Sequence, residues 1–414
     1  MNTILEQNGK TVVLLLSWRD IRSPKSGGAE VFTHEMLKRT QQDRFQFIHF
    51  SPHFEGMPEH EVIDGITYIR KGSIYSVIYY AMRYYRRHRK QIDYVINQAN
   101  THQFFTRFWV EASKRIFFIH QLTREIWYEN ARFPLNMIGF HMEPLMLKLA
   151  RKDRTLTVSP STRYDLLKLG FHPDRVHLLP EGIEFDHWPR EHFLTKESNP
   201  TFMYAGRFVK YKGIDLVVEA FGQLKEKFPQ AMLWIAGKTD KTYVAEQLLP
   251  IIERYGLTYG EPDEQGHSQA DITFYGFVSA EHKLELMSRA HALVFPSLRE
   301  GWGLTITEAA AVGTPSIVSN SPGLVDATDF GKSGYLCFHG DIRGLSEQME
   351  RVAKGGEDYM AIRERAYQYA LRFHFDHTAA AFEQLMKDWI EEAEQSGQSG
   401  QSGQSGHSLL HVQQ

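Results

Sequence analysis

ALVFPSLREGWGLTITEAAAVGTPSIVS, residues 292–319, decides how this chain folds. A short apolar run ends at Pro296, and a loop carrying Gly301 and Gly303 follows. A helical-period segment then covers 303–313, and a second apolar run, PSIVS, closes the stretch. A short apolar run, a helix and another short apolar run describe a strand–helix–strand unit with parallel strands buried on both faces.

The same alternation extends outward from this unit. FMYAG, MLWIAG and ITFYG precede it as strands, with helices over 213–227, 241–255 and 279–290. In the first half, TVVLLLS, FQFIHF, ITYIR, DYVIN, RIFFIH and TLTVS read as strands, and 28–41, 74–90, 134–150 and 160–169 as helices. Between the halves lies LLPEGIEFDHWPREHFLTKESNP, 178–200, rich in proline and charge and read as a linker. The fold class is therefore α/β, with two Rossmann-like, doubly wound domains facing a central cleft. The expected organisation is 1–185, 186–374, a C-terminal helix over 375–393 that crosses back to the first domain, and a disordered Ser/Gly/Gln-rich tail over 394–414. Residues 256–269 are polar and turn-rich, and read as an exposed loop.

Composition narrows the function. With 414 residues, 42% hydrophobic and 23% charged, the chain has ample material for folded domains. A net charge of -3 gives no general nucleic-acid surface, and no nucleic acid is expected as partner. The single cysteine, Cys337, excludes a disulfide framework and a cysteine-rich zinc site. MNTILEQNGK lacks the basic start and apolar run of a signal peptide, and Val12–Leu16 is too short to cross a bilayer. The expectation is a cytoplasmic protein, placed at the inner face of the cell membrane if it meets one.

Several motifs fail on inspection. FGKSG, 330–334, ends like a phosphate-binding loop, but the spacing needs glycine where Asp326 stands. No complete G-x-G-x-x-G follows a strand, and no H-E-x-x-H occurs among twenty histidines. His141 and Glu143 have no third partner in the sequence. No two aspartates stand two residues apart, so an Asp-x-Asp metal element is absent, and neither metal nor cofactor is expected.

Two loops carry chemistry. In the first, Gly301 and Gly303 let backbone approach a ligand closely. The N–H groups of Leu304 and Thr305 sit at a helix start, where anions bind. Glu300 can accept hydrogen bonds from sugar hydroxyls, and Glu308 from the vicinal hydroxyls of a ribose. The second loop lies in YAGRFVKYKGID, 204–215, where Arg207 and Lys212 stand between a strand end and a helix. Two fixed cations there can neutralise a diphosphate, Arg by its fork and Lys as a point charge. The plainer alternatives are a glycine turn with incidental glutamates and two solvated cations.

Together, Glu300-x7-Glu308 and G-R-x-x-x-x-K-G in AGRFVKYKG resemble the retaining family-4 glycosyltransferases of the GT-B fold. The resemblance runs over most of 11–390. SPKSGGAEVFTHEML, 23–37, resembles the family's glycine-rich first loop, which implies that Gly27 and Gly28 approach the donor. FFIHQ, 117–121, resembles the strand end bearing an active-site histidine, here His120. FYGFV, 274–278, resembles the loop whose backbone meets the nucleotide base, here at Phe277 and Val278. Trp302 stands in the donor loop where Phe or Tyr is usual. Glu181 stands where Asn is commoner, and Glu184 where Asp is commoner.

The resemblance implies a retaining glycosyltransferase, independent of metal, that takes a UDP- or GDP-sugar as substrate. His120, Arg207, Lys212 and Glu300 would be its catalytic residues. The acceptor would be a glycan or a lipid-linked molecule in polysaccharide or glycoconjugate assembly. In SIYSVIYYAMRYYRRHRKQ, 73–91, Ile74, Val77, Ile78, Ala81, Met82 and Tyr85 share one helical face, and Arg83, Arg86, Arg87 and Lys90 form a basic stripe on another. This segment is the expected peripheral membrane contact, with an ordinary amphipathic helix as its alternative. The competing functions are a nucleotide-sugar-binding regulator without turnover, an epimerase and a phosphorylase.

Overall fold

The computed structural model describes residues 9–402 apart from 25, 101, 265 and 267, with side chains as far as 395. Its strands are β1 (Thr11–Leu16), β2 (Phe45–Ser51), β3 (His60–Ile63), β4 (Ile66–Arg70), β5 (Tyr94–Ala99), β6 (Arg115–Ile119), β7 (Arg154–Thr157), β8 (Val176–Leu178), β9 (Thr201–Ala205), β10 (Met232–Ala236), β11 (Tyr259–Gly260), β12 (Ile272–Gly276), β13 (Ala292–Phe295), β14 (Ser316–Ser319) and β15 (Tyr335–Cys337). Its α-helices are α1 (Gly28–Arg39), α2 (Val77–His88), α3 (Ile126–Asn130), α4 (Leu135–Leu147), α5 (Pro160–Lys168), α6 (Ile214–Lys225), α7 (Lys241–Tyr243), α8 (Leu249–Arg254), α9 (Ala280–Arg289), α10 (Leu304–Ala311), α11 (Leu324–Ala327), α12 (Ile342–Lys354), α13 (Gly356–Ala370) and α14 (Phe375–Ser402).

Two sheets result, in the orders β3-β4-β2-β1-β5-β6-β7-β8 and β11-β12-β10-β9-β13-β14-β15. This is the two-domain, Rossmann-like architecture of the GT-B fold. In each sheet the order reverses at one place, between β1 and β5 and between β9 and β13. Open α/β sheets bind ligands beside the strand ends at such reversals. The second sheet sits in a continuous core in which Met203, Val217, Leu233, Leu293 and Ile317 are wholly buried.

Residue contacts divide the chain into two compact units. One is Met1–Gln98 with Phe104–Phe117 and Phe375–Gln414, and the other is Ala99–Gln103 with Phe118–His374. The sheets change over between β8 and β9, beside the expected boundary at 185/186, yet contacts group 118–185 with the second unit. In the first unit α14 lies on α1. The Phe32 and Phe375 rings meet edge to face at 5.9 Å, and the Arg39 guanidinium donates to Asp376 at 2.9 Å.

The segment 178–200 is packed rather than loose. The Trp188 N–H donates to the Ala311 carbonyl, and the Lys196 ammonium donates to the carbonyls of Ser288 and Ala290. Burial pushes the Lys196 ammonium well below its usual range.

Several expectations change. β3 pairs antiparallel with β4 across Asp64 and Gly65, both at positive φ, the conformation of a two-residue hairpin turn. The helix expected over 241–255 is broken by a π-turn at Val244–Leu248 just before Pro250. Proline has no N–H to continue the α-helical ladder. Residues 256–269 include the short strand β11. α12 was not expected at all. The tail expected to be disordered from 394 is helical as far as Ser402, although Gly397 and Gly400 each disfavour a helix by about 1 kcal/mol. Residues 403–414 lie outside the described residues. In 73–91 the apolar face holds at Val77, Ala81 and Tyr85, but Ile74 precedes the helix and is 55% exposed.

Candidate donor site

The loops after β9 and β13 flank the reversal in the second sheet, and their backbones are tied together. The Leu298 N–H donates to the Tyr211 carbonyl at 2.8 Å, and the Ser297 hydroxyl donates to the same oxygen at 3.2 Å. Gly213 has φ 74°, and a Cβ there would lie 2.7 Å from the Pro296 carbonyl oxygen. Only glycine permits both the conformation and the approach. The consequence is that Lys212 meets Glu300, Nζ to Oε1 at 2.5 Å, with the side chains 13% and 12% exposed. Arg207 is exposed nearby, and its guanidinium donates to the Tyr211 hydroxyl at 2.8 Å. The Tyr204 hydroxyl donates to the Arg207 carbonyl at 2.9 Å. Burial first, then the negative Glu300, pushes the Tyr204 phenol well above its usual range, so it remains a donor.

The glycine loop leads into α10. Gly303 stands at φ 108° as the N-cap, and no side chain caps the helix. The Ile306 N–H donates to the Gly303 carbonyl at 2.9 Å, whereas the N–H groups of Leu304 and Thr305 have no acceptor inside the helix. Glu308 projects from the second turn, where the Lys283 ammonium of α9 donates to both of its oxygens, at 2.8 and 2.7 Å. Lys283 is a site residue that sequence reasoning missed. Phe277 and Val278 follow β12 and lead into α9, with the Phe277 side chain 85% exposed.

The Trp302 side chain turns away from the loop surface into the core. Its indole is only 5% exposed, packs 4.8 Å from the Phe373 ring and donates to the Thr307 hydroxyl at 2.9 Å. The large apolar ring gains more from the core than from a wet loop, so Trp302 can offer a donor only its backbone.

His120 follows β6 and is brought against the same loop. A Cβ on Gly301 would lie 3.0 Å from the His120 carbonyl oxygen and 3.4 Å from its Cβ. Burial pushes the His120 imidazole down to about 3, so the ring is neutral at physiological pH. Its Nδ1 lies 4.0 Å from Oε1 of Glu181, whose carboxyl burial pushes up to about 8. Proximity suggests an ion pair, but desolvation of both groups favours the neutral pair. Glu181 is the second site neighbour without an assigned role in the sequence.

Gly27 and Gly28 belong to the first unit, at the start of α1. There the Glu30 carboxylate accepts from the Gly27 N–H at 2.7 Å and pairs with Arg19 at 3.0 Å. Of His141 and Glu143, the Glu143 carboxylate accepts from the backbone N–H groups of Thr123 and Arg124. Among the described residues no group of three His, Cys, Asp or Glu side chains could hold a metal ion.

Comparison with known proteins follows the two halves. Residues 26–187 match the family described as Glycosyltransferase Family 4, and 189–369 match Glycosyl transferases group 1. The chain is 29% identical over 204 residues to glycogen synthase of Mycobacterium tuberculosis, covering 48% of this chain and 45% of that protein. It is 25% identical over 233 residues to alpha-maltose-1-phosphate synthase of Mycolicibacterium smegmatis, covering 53% and 57%. The chain thus spans about half the length of these relatives. Among solved structures, sucrose-phosphate synthase from Thermosynechococcus elongatus superposes with TM-score 0.71 at 18% identity, over 92% of this chain and 100% of that one. Anabaena HepE in complex with UDP-glucose gives TM-score 0.66 at 16% identity, over 91% and 99%.

Proposed function

Since the chain belongs to the family-4 glycosyltransferases, we propose that it moves a sugar from a nucleotide-diphosphate-sugar to an acceptor hydroxyl, with retention and without a metal. The observation that carries this reading is the Lys212–Glu300 pair, held at a strand-end reversal beside an uncapped helix start. A cation, a carboxylate and free N–H groups meet there, and a sugar diphosphate asks for all three.

The chemistry follows from charge. Breaking the bond between the anomeric carbon and the phosphate oxygen leaves negative charge on the diphosphate and positive character on the ring. Arg207, Lys212 and the N–H groups of Leu304 and Thr305 stabilise the diphosphate in the role a divalent ion fills elsewhere. As Lys212 turns to phosphate, Glu300 is released to accept from the sugar hydroxyls. Glu308 accepts from the ribose, with Lys283 holding its carboxylate in place. His120, neutral, contacts the sugar as a hydrogen-bonding ring. The acceptor oxygen bonds to the anomeric carbon on the face the phosphate leaves, and its proton passes to the departing phosphate oxygen. UDP-glucose in the Anabaena structure favours a UDP-sugar for this chain, with a GDP-sugar as the other choice.

The acceptor is assigned to polysaccharide or glycoconjugate assembly at the inner face of a membrane. In support, Arg83, Arg86, Arg87 and Lys90 are exposed on and just after α2. A recess of about 300 Å³ there is lined by Arg86, Arg89, Arg107, Phe108 and Glu111 among others, three cations against one carboxylate, a balance that favours an anionic headgroup or a lipid-linked diphosphate. Among the described residues no helix is long and apolar enough to cross a membrane.

A screen of nucleotide sugars for binding and slow hydrolysis tests the reading. The hit is expected to be lost in Lys212→Ala. A donor that binds that variant as well as the parent chain sinks the diphosphate assignment.

A further inference from the structure

The hairpin of α3 and α4 exposes apolar side chains in a pattern the donor site does not use. Leu135, Ile138, Met142 and Leu145 are 46–64% exposed, and Phe133, just before α4, is 77% exposed. Positions 135, 138, 142 and 145 are spaced three, four and three, which lines them along one side of a helix.

The rotation of α4 is fixed, so this side cannot turn inward. Its other side is occupied at three points. Gly139 lies beneath the Trp127 ring, where a Cβ would come within 2.3 Å of the indole. Glu143 accepts from the N–H groups of Thr123 and Arg124 at 2.5 and 2.7 Å. Leu147 is buried. The Arg124 guanidinium adds a bond to the Phe140 carbonyl at 3.0 Å and lies 4.0 Å over the Phe140 ring.

Charge identifies the occupant. Arg132 stands before the stripe, and Lys148, Arg151 and Lys152 stand after it, all exposed. The one acid between 131 and 152 is Glu143, which is buried. The 13 residues of α4 span roughly 20 Å, too short to cross a bilayer but sufficient to lie in its surface. Within 131–152 the apolar stripe has cations at both ends and no exposed acid. The exposed acids beside it are engaged, Glu129 of α3 with Lys210 and Glu125 just before α3 with Arg299, a pattern that suits anionic headgroups above acyl chains.

We propose that the α3–α4 hairpin is a membrane-docking element that lies in the surface of an anionic bilayer, with Leu135, Ile138, Met142 and Leu145 turned into the acyl boundary. This rests on the membrane location proposed above but not on the residues of α2. The Glu143 clasp fastens the hairpin to the backbone three and four residues beyond His120, so docking and the His120 strand end share one stretch of chain.

The test is sedimentation of the full chain with vesicles of phosphatidylglycerol and phosphatidylcholine, and with phosphatidylcholine alone. Binding is expected to the mixed vesicles, to weaken at high salt, and to fall at least tenfold in Ile138→Glu/Leu145→Glu. Nucleotide-sugar binding in that variant is expected to stay within twofold, which separates this proposal from the donor reading. The α2 variant Arg83→Glu/Arg87→Glu is run beside it. Loss of vesicle binding in the α2 variant alone overturns the hairpin and leaves α2 as the contact. A wild-type dimer that Ile138→Glu dissociates, without vesicle binding, also overturns the proposal in favour of a second copy of the chain. Ile138→Trp gives an independent readout. The chain already carries seven tryptophans, so the readout is the difference spectrum from the parent chain. It is expected to shift to the blue and to be quenched by brominated lipid, and an unquenched, unshifted difference overturns the proposal.

Discussion

The molecule contains two glycine-rich turns into helices, and they are finished differently. At α1, Glu30 reaches back to the Gly27 N–H and is itself held by Arg19, so the helix start is closed by the chain's own carboxylate. At α10, no side chain caps the helix, the Ile306 N–H donates to the Gly303 carbonyl, and the N–H groups of Leu304 and Thr305 are left to an outside acceptor. Cations stand by the second turn as well, because the loop after β9 delivers Lys212 to Glu300. Glycine in such a turn therefore marks only where backbone can come close. Whether an anion binds depends on what already occupies the N–H groups, and that separates the Gly27–Gly28 turn from the Gly301–Gly303 turn.

The strongest way to break this contrast is at Lys212. Lys212→Ala removes a cation from the proposed leaving group and leaves Glu300 partly buried without its partner. Turnover is expected to fall about 10²–10³-fold, the scale of losing one transition-state donor. A steady-state assay that finds less than a threefold loss would detach the pair from catalysis.

The contrast extends to two glutamates of equal burial. Glu30 and Glu181 are each 4% exposed, but Glu30 is held by the Gly27 N–H and by Arg19, whereas Oε2 of Glu181 has no hydrogen-bond partner among the described residues. Burial raises the Glu181 carboxyl from 4.5 to about 8. A raised folded-state pKa gives stability that is complete below pH 4.5 and is lost as pH rises toward 8. At about 1.4 kcal/mol per unit the loss is on the order of a few kcal/mol. His120 works in the opposite sense. Its lowered pKa, about 3 against 6.5, costs stability as pH falls below 6.5. Glu181→Gln keeps the shape and removes the titration. His120, His49 and His291, all pushed down by burial, weaken parent and variant alike at the lower pH, so the difference between the two chains isolates Glu181. In denaturant melts at pH 5.5 and 8 the parent is expected to lose stability relative to the variant at pH 8, and an identical pH dependence in both would mean that Glu181 finds a charge partner.

How far the sequence could foresee these differences depends on the range of the interaction. Lys212 and Glu300 were legible because strand, loop and helix follow one another in sequence, and the loop after a strand must sit at the strand's carboxyl end. The hairpin of β3 and β4 was equally legible, since Asp64-Gly65 is the composition of a two-residue turn, but it was passed over. So was α12, where Asp341 caps the first turn and Leu345, Met349 and Val352 repeat at helical spacing. Lys283 was not legible, because its partner Glu308 lies on another helix and only packing joins them. Nor was the direction of Trp302, which Phe373 and Thr307 decide. Glu181 stood out as an unusual residue type, but its pKa comes from burial that no local pattern announces.

Thr305→Asp tests the open helix start directly. A carboxylate in the first turn favours the helix dipole by about 0.3–1 kcal/mol, so stability should hold or rise. The same charge opposes a diphosphate, and donor affinity is expected to fall about tenfold, on the order of 1.4 kcal/mol. Opposite signs in melting and in donor titration separate anion exclusion from damage to the fold. Unchanged affinity would mean that the diphosphate does not reach α10.

The smallest effect is expected at the closed turn. Glu30→Ala frees the Gly27 N–H and leaves Arg19 without that carboxylate, at a cost of about 1–2 kcal/mol in stability. If the α1 turn is a structural corner, donor affinity in a calorimetric titration should change by less than twofold. The family resemblance makes the opposite claim, that Gly27 and Gly28 approach the donor. A tenfold change in affinity in either direction would support it, because opening or reshaping the cap would then alter a surface the donor touches. The turn would in that case be closed only while the donor is absent, with Glu30 holding the place a phosphate oxygen takes. An unchanged affinity together with the stability loss leaves the distinction between the two glycine turns standing.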